Sequence, residues 1–159
     1  MKIEDELKGR FRNEYHKGLI NLIFTSKQLG YAFYQSLKQR NLTEQQYNVL
    51  RILRGFRSEG PLSIGFIKER MLDRDSDVSR IVDRLLEKGY VTRKENPSDR
   101  RQKSVEITEK GMELLRDMYN CEMRADTLLS NLSMEEVKEL NRLLDKIRGK
   151  LTNQVSSPN

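Results

Sequence analysis

The most informative part of this sequence is MLDRDSDVSRIVDRLLEKGYVTRKENPSDRRQKSVEITEKG, residues 71–111. Its pattern predicts a helix, a tight turn, a strand, an arginine-tipped loop, a second strand and the start of another helix. A helix followed by a basic hairpin fits duplex DNA, because the helix can enter the major groove while the hairpin reaches the neighbouring minor groove.

The helix in this stretch, called the recognition helix below, has an apolar stripe at the spacing of one helical face. The stripe consists of Val78, Ile81, Val82, Leu85 and Leu86. Asp73 or Asp75 is predicted to start this helix, and Gly89 is placed to end it. Residues 90–95 and 103–107 are predicted strands, joined through the turn-forming cluster Asn-Pro-Ser-Asp.

Capping signals place further helices on both sides of this stretch. Thr43 followed by Gln46 is a capping box, in which each side chain covers a backbone donor of the first turn. Ser63 can cap a short helix, and Thr108 can cap a longer one that runs on toward Leu129. The order of elements is therefore a long helix, three shorter helices, a two-stranded hairpin and two long helices.

The first and last long helices are expected to need a second subunit. Residues 15–39 carry apolar side chains on more than one face, and such a helix packs on two partners. A second capping box, Ser133 with Glu136, opens a last helix with one apolar face. Burial of both helices in a twofold dimer is the simplest way to cover them. The predicted interface residues are Leu19, Ile23, Leu140, Leu143, Leu144 and Ile147.

The distribution of charge favours a polyanionic partner. The chain has 159 residues, 36% hydrophobic and 34% charged, with a net charge of +6, which suits one small, mostly helical domain. Residues 88–103 contain six basic and two acidic side chains, whereas residues 111–159 contain seven basic and eight acidic ones. The excess therefore lies in the hairpin and the N-terminal third. Charge alone leaves nucleic-acid binding open, because many soluble domains are mildly basic.

Several protein classes lack their usual signals in this sequence. The single cysteine, Cys121, excludes an intramolecular disulfide, the charged N-terminus has no signal-peptide core, and no apolar run is long enough to span a bilayer. We therefore expect a protein of the reducing cytoplasm without a membrane partner. No cofactor is expected, since His16 is the only histidine and no Cys or His cluster exists. His16 is interpreted as a surface or interface residue, with the lining of an effector pocket as the alternative. Cys121 is interpreted as a helical packing residue, with redox sensing as the less favoured alternative.

Three segments carry a resemblance to a known family. They are LTEQQYNVLRIL at residues 42–53, SDVSRIVDRLLEKGYVTR at 76–93 and NPSDRRQKSVEITEKG at 96–111. In this order they resemble the MarR family of bacterial winged helix-turn-helix transcription regulators. The most specific piece is Asp-Arg-Arg at 99–101, between two predicted strands and followed by Ile-Thr-Glu-Lys-Gly. The resemblance extends over residues 12–150, nearly the whole chain.

The resemblance implies a mainly α (α+β) fold, a winged helix-turn-helix DNA-binding domain with long N- and C-terminal dimerisation helices. The winged part spans residues 43–108 and the dimerisation helices residues 12–40 and 110–152, within a single MarR-type domain over residues 1–159. It further implies a homodimeric, ligand-responsive repressor of transcription that binds a pseudo-palindromic operator in double-stranded DNA. The effector is expected to be a small aromatic compound lodged between the dimerisation helices and the winged part.

The predicted DNA contacts lie on the two-stranded hairpin, which is called the wing below, and on the start of the recognition helix. By resemblance, Arg101 enters a narrow minor groove and Asp99 orients it through a charge-assisted hydrogen bond. Arg80 is placed to bind guanine or grip a phosphate, although pairing of Asp77 with Arg80 or Arg84 along the helix surface is an alternative. The complete predicted set is Ser63, Asp75, Ser76, Asp77, Ser79, Arg80, Arg84, Asp99, Arg100, Arg101 and Lys103.

The recognition helix departs from the family pattern at its start. Asp73, Asp75 and Asp77 stand where small hydroxyl or basic residues are common. Carboxylates repel phosphates, but they can cap a helix or accept a hydrogen bond from a cytosine amino group. Because of this departure, the sequence does not decide which bases the helix contacts. The predicted docking of the helix in the major groove is unaffected. Thr43 and Ser63 are each expected to touch a phosphate or to serve only as caps.

A protein-interaction module without DNA binding is the alternative function from another class, because winged helices also serve as scaffolds. The basic wing argues against it, and a steep loss of DNA affinity with salt would separate the two. An enzyme is least favoured, since the sequence shows no Gly-rich phosphate loop, nucleophile–base motif or metal cluster.

Overall fold

The computed structural model describes residues 2–96, 99–118 and 127–155. It divides into two compact units, Met1–Cys121 and Glu122–Asn159. The first unit contains, in chain order, α1 (Ile3–Leu7), α2 (Glu14–Lys38), α3 (Glu44–Gly55), a 3₁₀ turn (Arg57–Glu59), β1 (Leu62–Ser63), α4 (Ile64–Glu69), α5 (Val78–Glu87), β2 (Val91–Asn96), β3 (Asp99–Ile107) and α6 (Glu109–Asp117). The second unit contains a 3₁₀ turn (Thr127–Leu129) and α7 (Met134–Val155). Within the described part of the chain, no helix is long and apolar enough to cross a membrane.

Both predicted capping boxes are confirmed. The Thr43 hydroxyl accepts the Gln46 amide at 3.1 Å, and the Gln46 side chain accepts the Thr43 amide at 3.3 Å. At the start of α7, Ser133 and Glu136 make the same reciprocal pair at 2.8 and 3.2 Å. These bonds satisfy donors that the first helical turn leaves open, which is why the two motifs located the starts of α3 and α7.

The recognition helix, α5, starts later than predicted, and the prediction that Asp73 or Asp75 starts it is wrong. Its N-cap is Asp77, whose carboxylate accepts the Arg80 amide at 3.1 Å. Asp73 instead closes a turn before the helix, where its carboxylate accepts the Asp75 amide and the Ser76 hydroxyl, both at 3.1 Å. Aspartate favours both turns and caps, so the sequence alone did not show which of the three makes which bond.

Left-handed residues end α2 and α5. Asn41 has a φ of 53° and Gly89 a φ of 73°. After α2, the Leu42 amide reaches back to the Leu37 carbonyl at 3.2 Å, and the equivalent bond after α5 measures 3.0 Å. This is the Schellman arrangement, in which one residue in the left-handed region turns the chain away from the helix. The prediction that Gly89 ends the recognition helix is confirmed.

The sheet has three strands, one more than predicted, in the order β1-β3-β2 with antiparallel pairing. Leu62 of β1 lies opposite Val105 of β3. A strand of two residues is too short to show an alternating pattern, so the sequence did not reveal it. On its other side, β3 pairs with β2, and this pairing continues as far as Asn96, which lies opposite Asp99. Strand β3 therefore begins earlier than the predicted residue 103.

One apolar core joins α3, α5, α6 and the sheet. The predicted stripe of α5 is confirmed: Val78, Val82 and Leu85 are buried, and Ile81 and Leu86 pack against the core while half-buried. Large side chains without exposed surface include Leu37, Leu50, Ile67, Leu85, Leu115 and Met118. Burial of each such side chain contributes roughly 1.5–3 kcal/mol, so the core fixes α5 against α3 and the sheet.

Helix α6, which follows the wing, ends at Asp117, and the described residues beyond it do not continue the predicted helix. Thr108 caps α6 as expected, accepting the Gly111 amide at 3.1 Å. The predicted continuation toward Leu129 falls partly on residues 119–126, which lie outside the described residues and include Cys121. At Thr127–Leu129 the chain forms a 3₁₀ turn rather than an α-helix.

Candidate nucleic-acid interface

Helix α5 turns its polar face to solvent. Ser79 and Arg80 in its first turn and Arg84 one turn later are exposed, while the apolar stripe faces the core. Asp77 is also exposed and uses one carboxylate oxygen as the helix cap, which leaves its second oxygen able to accept a further hydrogen bond. A helix presented in this way can bring its first turns to base edges in the major groove.

The two arginines on this face differ in their partners. Arg84 Nη1 lies 2.9 Å from Glu87 Oε2 on the same helix. Asp77 accepts the backbone amide of Arg80 rather than its guanidinium, so the alternative pairing of Asp77 with either arginine does not occur. Among the described side chains, none holds the Arg80 guanidinium by a hydrogen bond or ion pair. Arg80 is therefore the cation on this face that is available to a base or phosphate.

Two predicted contact residues serve local structure instead of facing solvent. Ser76 is buried, and its hydroxyl donates to Asp73 at 3.1 Å. Ser63 is half-buried, and its hydroxyl caps α4 by accepting the Phe66 amide at 3.1 Å. Asp75, by contrast, is exposed in the turn before α5. The DNA contacts predicted for these three residues stay predictions, and burial makes the one for Ser76 the weakest.

Strands β2 and β3 form a hairpin that extends beyond the core. Among the side chains of these strands that the structure describes, the buried ones are Val91, Val105 and Ile107, and all three lie at the base of the hairpin. Pairing of β3 with β1 reaches only as far as Ser104. From Ser104 toward the tip of the hairpin, β3 extends over five more residues, to its first residue, Asp99. At roughly 3.3 Å per residue the hairpin extends about 17 Å past Ser104. The Asp-Arg-Arg motif therefore stands at the far end of the wing.

The wing tip carries predictions that fall outside the described side chains. The backbone of β3 places Asp99, Arg100, Arg101 and Lys103 on the outer part of the hairpin, but their side chains are not among those described. Residues 97 and 98 of the predicted turn cluster also lie outside the described residues. The contacts assigned to these side chains stay predictions.

One ion pair connects the root of the wing to α5, and a second links the two strands of the wing. Arg93 Nη2 of β2 lies 2.6 Å from Asp83 Oδ1 of α5, and Lys94 Nζ lies 2.5 Å from Glu106 Oε2 across the hairpin. Arg93 was not among the predicted site residues. Its only sequence signal was membership of the basic segment 88–103, because the contact with α5 depends on how a helix and a strand pack.

A second ionic cluster lies at the start of α6, directly after the wing. Arg116 Nη2 is 2.6 Å from Glu109 Oε1, and this hydrogen bond is the main reason that the pKa of Glu109 is lowered below its ordinary value. Arg57, in the 3₁₀ turn after α3, lies 3.8 Å from the other carboxylate oxygen. The cluster joins α6 to the segment that follows α3.

His16 lies in the first turn of α2 and takes part in local packing. Its Nδ1 accepts the Arg12 amide at 3.3 Å, and its ring meets the ring of Phe11 edge-on at 5.8 Å between centroids. In the part of the chain that the structure describes, no group of three or more His, Cys, Asp or Glu side chains is arranged to hold a metal ion.

Comparison with known proteins supports the resemblance seen in the sequence. The family model described as MarR family matches residues 42–103, which span α3 to the outer part of β3. The HTH-type transcriptional regulator MhqR of Bacillus subtilis (strain 168) is 30% identical over 112 residues, which cover 70% of this chain and 75% of MhqR. This chain belongs to the MarR family. As a MarR-family protein it is a transcription regulator with a DNA-binding winged helix.

Solved structures share the fold of this MarR-family protein. The Staphylococcus aureus MepR–DNA complex is 25% identical, with a TM-score of 0.74 over 89% of this chain and 99% of that one. Bordetella bronchiseptica BpsR, whose DNA binding is regulated by 6-hydroxynicotinic acid, is 22% identical, with a TM-score of 0.73 over 88% of this chain and 98% of that one. The predicted fold class, mainly helical with a small antiparallel sheet, is confirmed.

Proposed function

We propose that this MarR-family regulator is a homodimeric, ligand-responsive repressor that binds a pseudo-palindromic operator. The observation that carries the proposal is the exposed polar face of α5 beside a basic hairpin, with Arg93 and Asp83 joining the two elements. With α5 in the major groove and the hairpin in the adjacent minor groove, both elements would follow each half-site together.

Within each half-site, we assign the reading of bases to the start of α5. Arg80 binds guanine or a phosphate, and Ser79 and the second carboxylate oxygen of Asp77 reach neighbouring base edges. Arg100 and Arg101 at the wing tip enter the minor groove, where A·T-rich sequence narrows the groove and concentrates negative potential. The contacts predicted for Ser63, Ser76 and Arg84 are secondary, because a helix cap, a turn hydrogen bond and an ion pair, respectively, already engage these side chains.

A second copy of the chain is proposed because two helices expose apolar side chains. On α2, Tyr15, Leu19 and Ile23 follow one another at single turns and are 91%, 56% and 45% exposed. On α7, Leu143 and Ile147 are 43% and 49% exposed. Contiguous apolar surface marks interaction sites, and a closed twofold dimer is the commonest assembly. The two α5 helices would then meet successive major grooves about 10 base pairs apart.

A small aromatic compound is proposed as the effector. The regulation of BpsR by 6-hydroxynicotinic acid, in a protein of the same fold, supports an aromatic acid as the class to test first. A ligand shifts an equilibrium only by its difference in affinity for the two states. The effector would therefore have to prefer a spacing of the two α5 helices that does not fit DNA, and its binding would release the operator.

Selection of bound duplexes from a random pool tests the DNA-binding part of the proposal. We expect one enriched motif with inverted-repeat symmetry, and an affinity that falls steeply as salt rises because phosphate contacts release counterions. Arg100→Ala with Arg101→Ala should weaken binding, whereas Lys138→Ala, on the exposed side of α7, should not. A pool without enrichment, or an affinity insensitive to salt, would favour a protein-interaction module instead.

A thermal-shift screen of small aromatic acids, including 6-hydroxynicotinic acid, tests the effector. A compound of the proposed class should raise the Tm of the protein and, at the same concentration, weaken its binding to the selected duplex. If no compound of the class does both, the ligand-responsive part of the proposal fails while the DNA-binding part stands.

A further inference from the structure

Three helices of the first unit each receive a cationic side chain at the C-terminus from another helix. Lys88 Nζ, at the end of α5, donates to the Asn41 carbonyl after α2 at 2.5 Å. Lys110 Nζ, at the start of α6, donates to the Lys88 carbonyl at 2.8 Å. Arg40 Nη2, after α2, donates to the Asp117 carbonyl at the end of α6 at 3.2 Å. The three bonds form a closed ring through α2, α6 and α5.

The positions of these cations follow from helix chemistry. The last carbonyls of a helix lack intrahelical donors, and the C-terminal end of the helix dipole is negative. Asn41 is the left-handed residue that ends α2, so its carbonyl lies outside the hydrogen-bond ladder of the helix. Lys110 also lies over the Tyr90 ring, 5.2 Å from its centroid, which helps to hold its ammonium beside the end of α5.

Lys88 makes a second bond that brings a third element to the same ammonium. Its Nζ lies 3.1 Å from the side-chain oxygen of Gln46, and that oxygen also accepts the Thr43 amide at the start of α3. Gln46 is buried, so this bond lies in a partly water-excluded place. One ammonium therefore touches the end of α2 and the start of α3, while its own backbone belongs to the end of α5.

We propose that Lys88 is a positioning residue for DNA binding, which holds the end of α5 at a fixed angle to α2. The inference rests on the proposed function, because α2 there belongs to the dimer interface. In such a dimer the angle between α2 and α5 sets the separation of the two recognition helices. The bond from Lys88 would couple the position of α5 to the position that α2 takes in the dimer. Without this bond, α5 could change its angle to α2, and the dimer would bind a wider range of half-site spacings.

The test measures how strongly DNA binding depends on the spacing of the two half-sites, and not only the affinity for one duplex. Kd is measured for the duplex that the wild-type protein selects and for the same duplex with one base pair inserted between its half-sites, which rotates one half-site by roughly 35°. The wild-type protein should prefer the first duplex by about tenfold or more. Lys88→Met, which keeps the apolar stem and removes the ammonium, should reduce that preference by about fivefold. Lys88→Arg, which keeps a cation of similar reach, should restore it.

Controls separate positioning from stability and from simple charge. Lys138→Met makes the same change on the exposed surface of α7 and should keep the wild-type preference. A Lys88→Met protein that retains the full preference overturns the proposal, whatever its Tm. Equal weakening on both duplexes also overturns it and assigns Lys88 to a phosphate contact. If Lys88→Met does not fold, Lys88→Gln is judged by the same criterion.

Failure of the proposed function itself has a different signature. A wild-type protein that binds both duplexes equally would overturn the two-half-site arrangement, and the positioning role with it. A wild-type protein that prefers one duplex, with a variant that prefers it equally, would overturn the positioning role alone.

Discussion

Arg93 of β2 and Asp83 of α5 lie 2.6 Å apart, Nη2 to Oδ1, so an ion pair joins the wing to the recognition helix. The two side chains are 31% and 53% exposed. Ion pairs in such positions typically contribute about 0–1 kcal/mol, because water and salt screen them. We therefore expect this pair to orient the wing more than it stabilises the fold.

A double-mutant cycle tests that expectation. Asp83→Asn and Arg93→Gln, alone and together, should show a coupling in the free energy of unfolding of about 0.2–1 kcal/mol in urea denaturation. The same cycle measured on Kd for the selected duplex should show the two residues coupled, since either change releases the wing from α5. A strong coupling in stability with none in DNA binding would contradict an orienting role.

Arg101→Ala should weaken binding to every duplex, and most where the flanks of the half-sites are rich in A·T. The physical reason is the negative potential of a narrow minor groove. The slope of log Kobs against log salt should also fall in magnitude by about one, as for the loss of one phosphate contact. Fluorescence anisotropy on duplexes with A·T-rich and G·C-rich flanks measures both effects, and an equal loss on the two would rule out minor-groove reading.

Arg80→Ala should relax base preference inside the half-site. A good bidentate contact discriminates against the wrong base by about 1–3 kcal/mol, and that is the loss we expect at one position of the motif. Arg84→Ala is the matched control on the same face, because Glu87 already holds the Arg84 guanidinium. Competition binding with single-base variants of the motif measures the preference of each protein. A larger change from Arg84→Ala than from Arg80→Ala would reverse our assignment.

Gly111 lies where the start of α6 passes close to the chain between α5 and β2. A Cβ atom there would lie 2.4 Å from the Tyr90 carbonyl oxygen and 2.8 Å from Ile107 Cγ1. Gly111→Ala should therefore lower the free energy of unfolding by about 1–3 kcal/mol.

The control for that substitution is Gly55→Ala at the end of α3. An added Cβ at Gly55 meets no atom within 4 Å in the described part of the chain. This variant should keep or raise stability, by up to about 1 kcal/mol. Urea denaturation of both variants provides the comparison, and equal stability of the two would show that the Tyr90 carbonyl can move aside.

Local chemistry made much of the fold predictable from the sequence. A capping box such as Thr43 with Gln46 needs only residues three apart, and the stripe of α5 needs only helical spacing. The same locality explains the error at the start of α5. Asp73 and Asp77 favour the same kinds of hydrogen bond, and only the packed structure decides which one caps the helix.

The candidate site was predictable in its outline but not in its connections. The exposure of Arg80 followed from its place opposite the apolar stripe, and the Asp-Arg-Arg motif located the wing tip. The bond from Lys88 to Asn41 joins residues 47 positions apart, and its existence depends on how α2 and α5 pack. Contacts of this kind have no local signature, which is why the sequence predicted candidate DNA-contacting residues but not the bonds between helices that lie behind them.

We propose that two copies of this chain together hold their wings and recognition helices against one duplex. Sedimentation equilibrium of the protein with its selected duplex, at concentrations near Kd, measures this most directly. We predict a complex of two chains per duplex that dissociates as salt is raised. A complex of one chain per duplex, or protein that remains a single subunit at those concentrations, would rule out the proposed dimer.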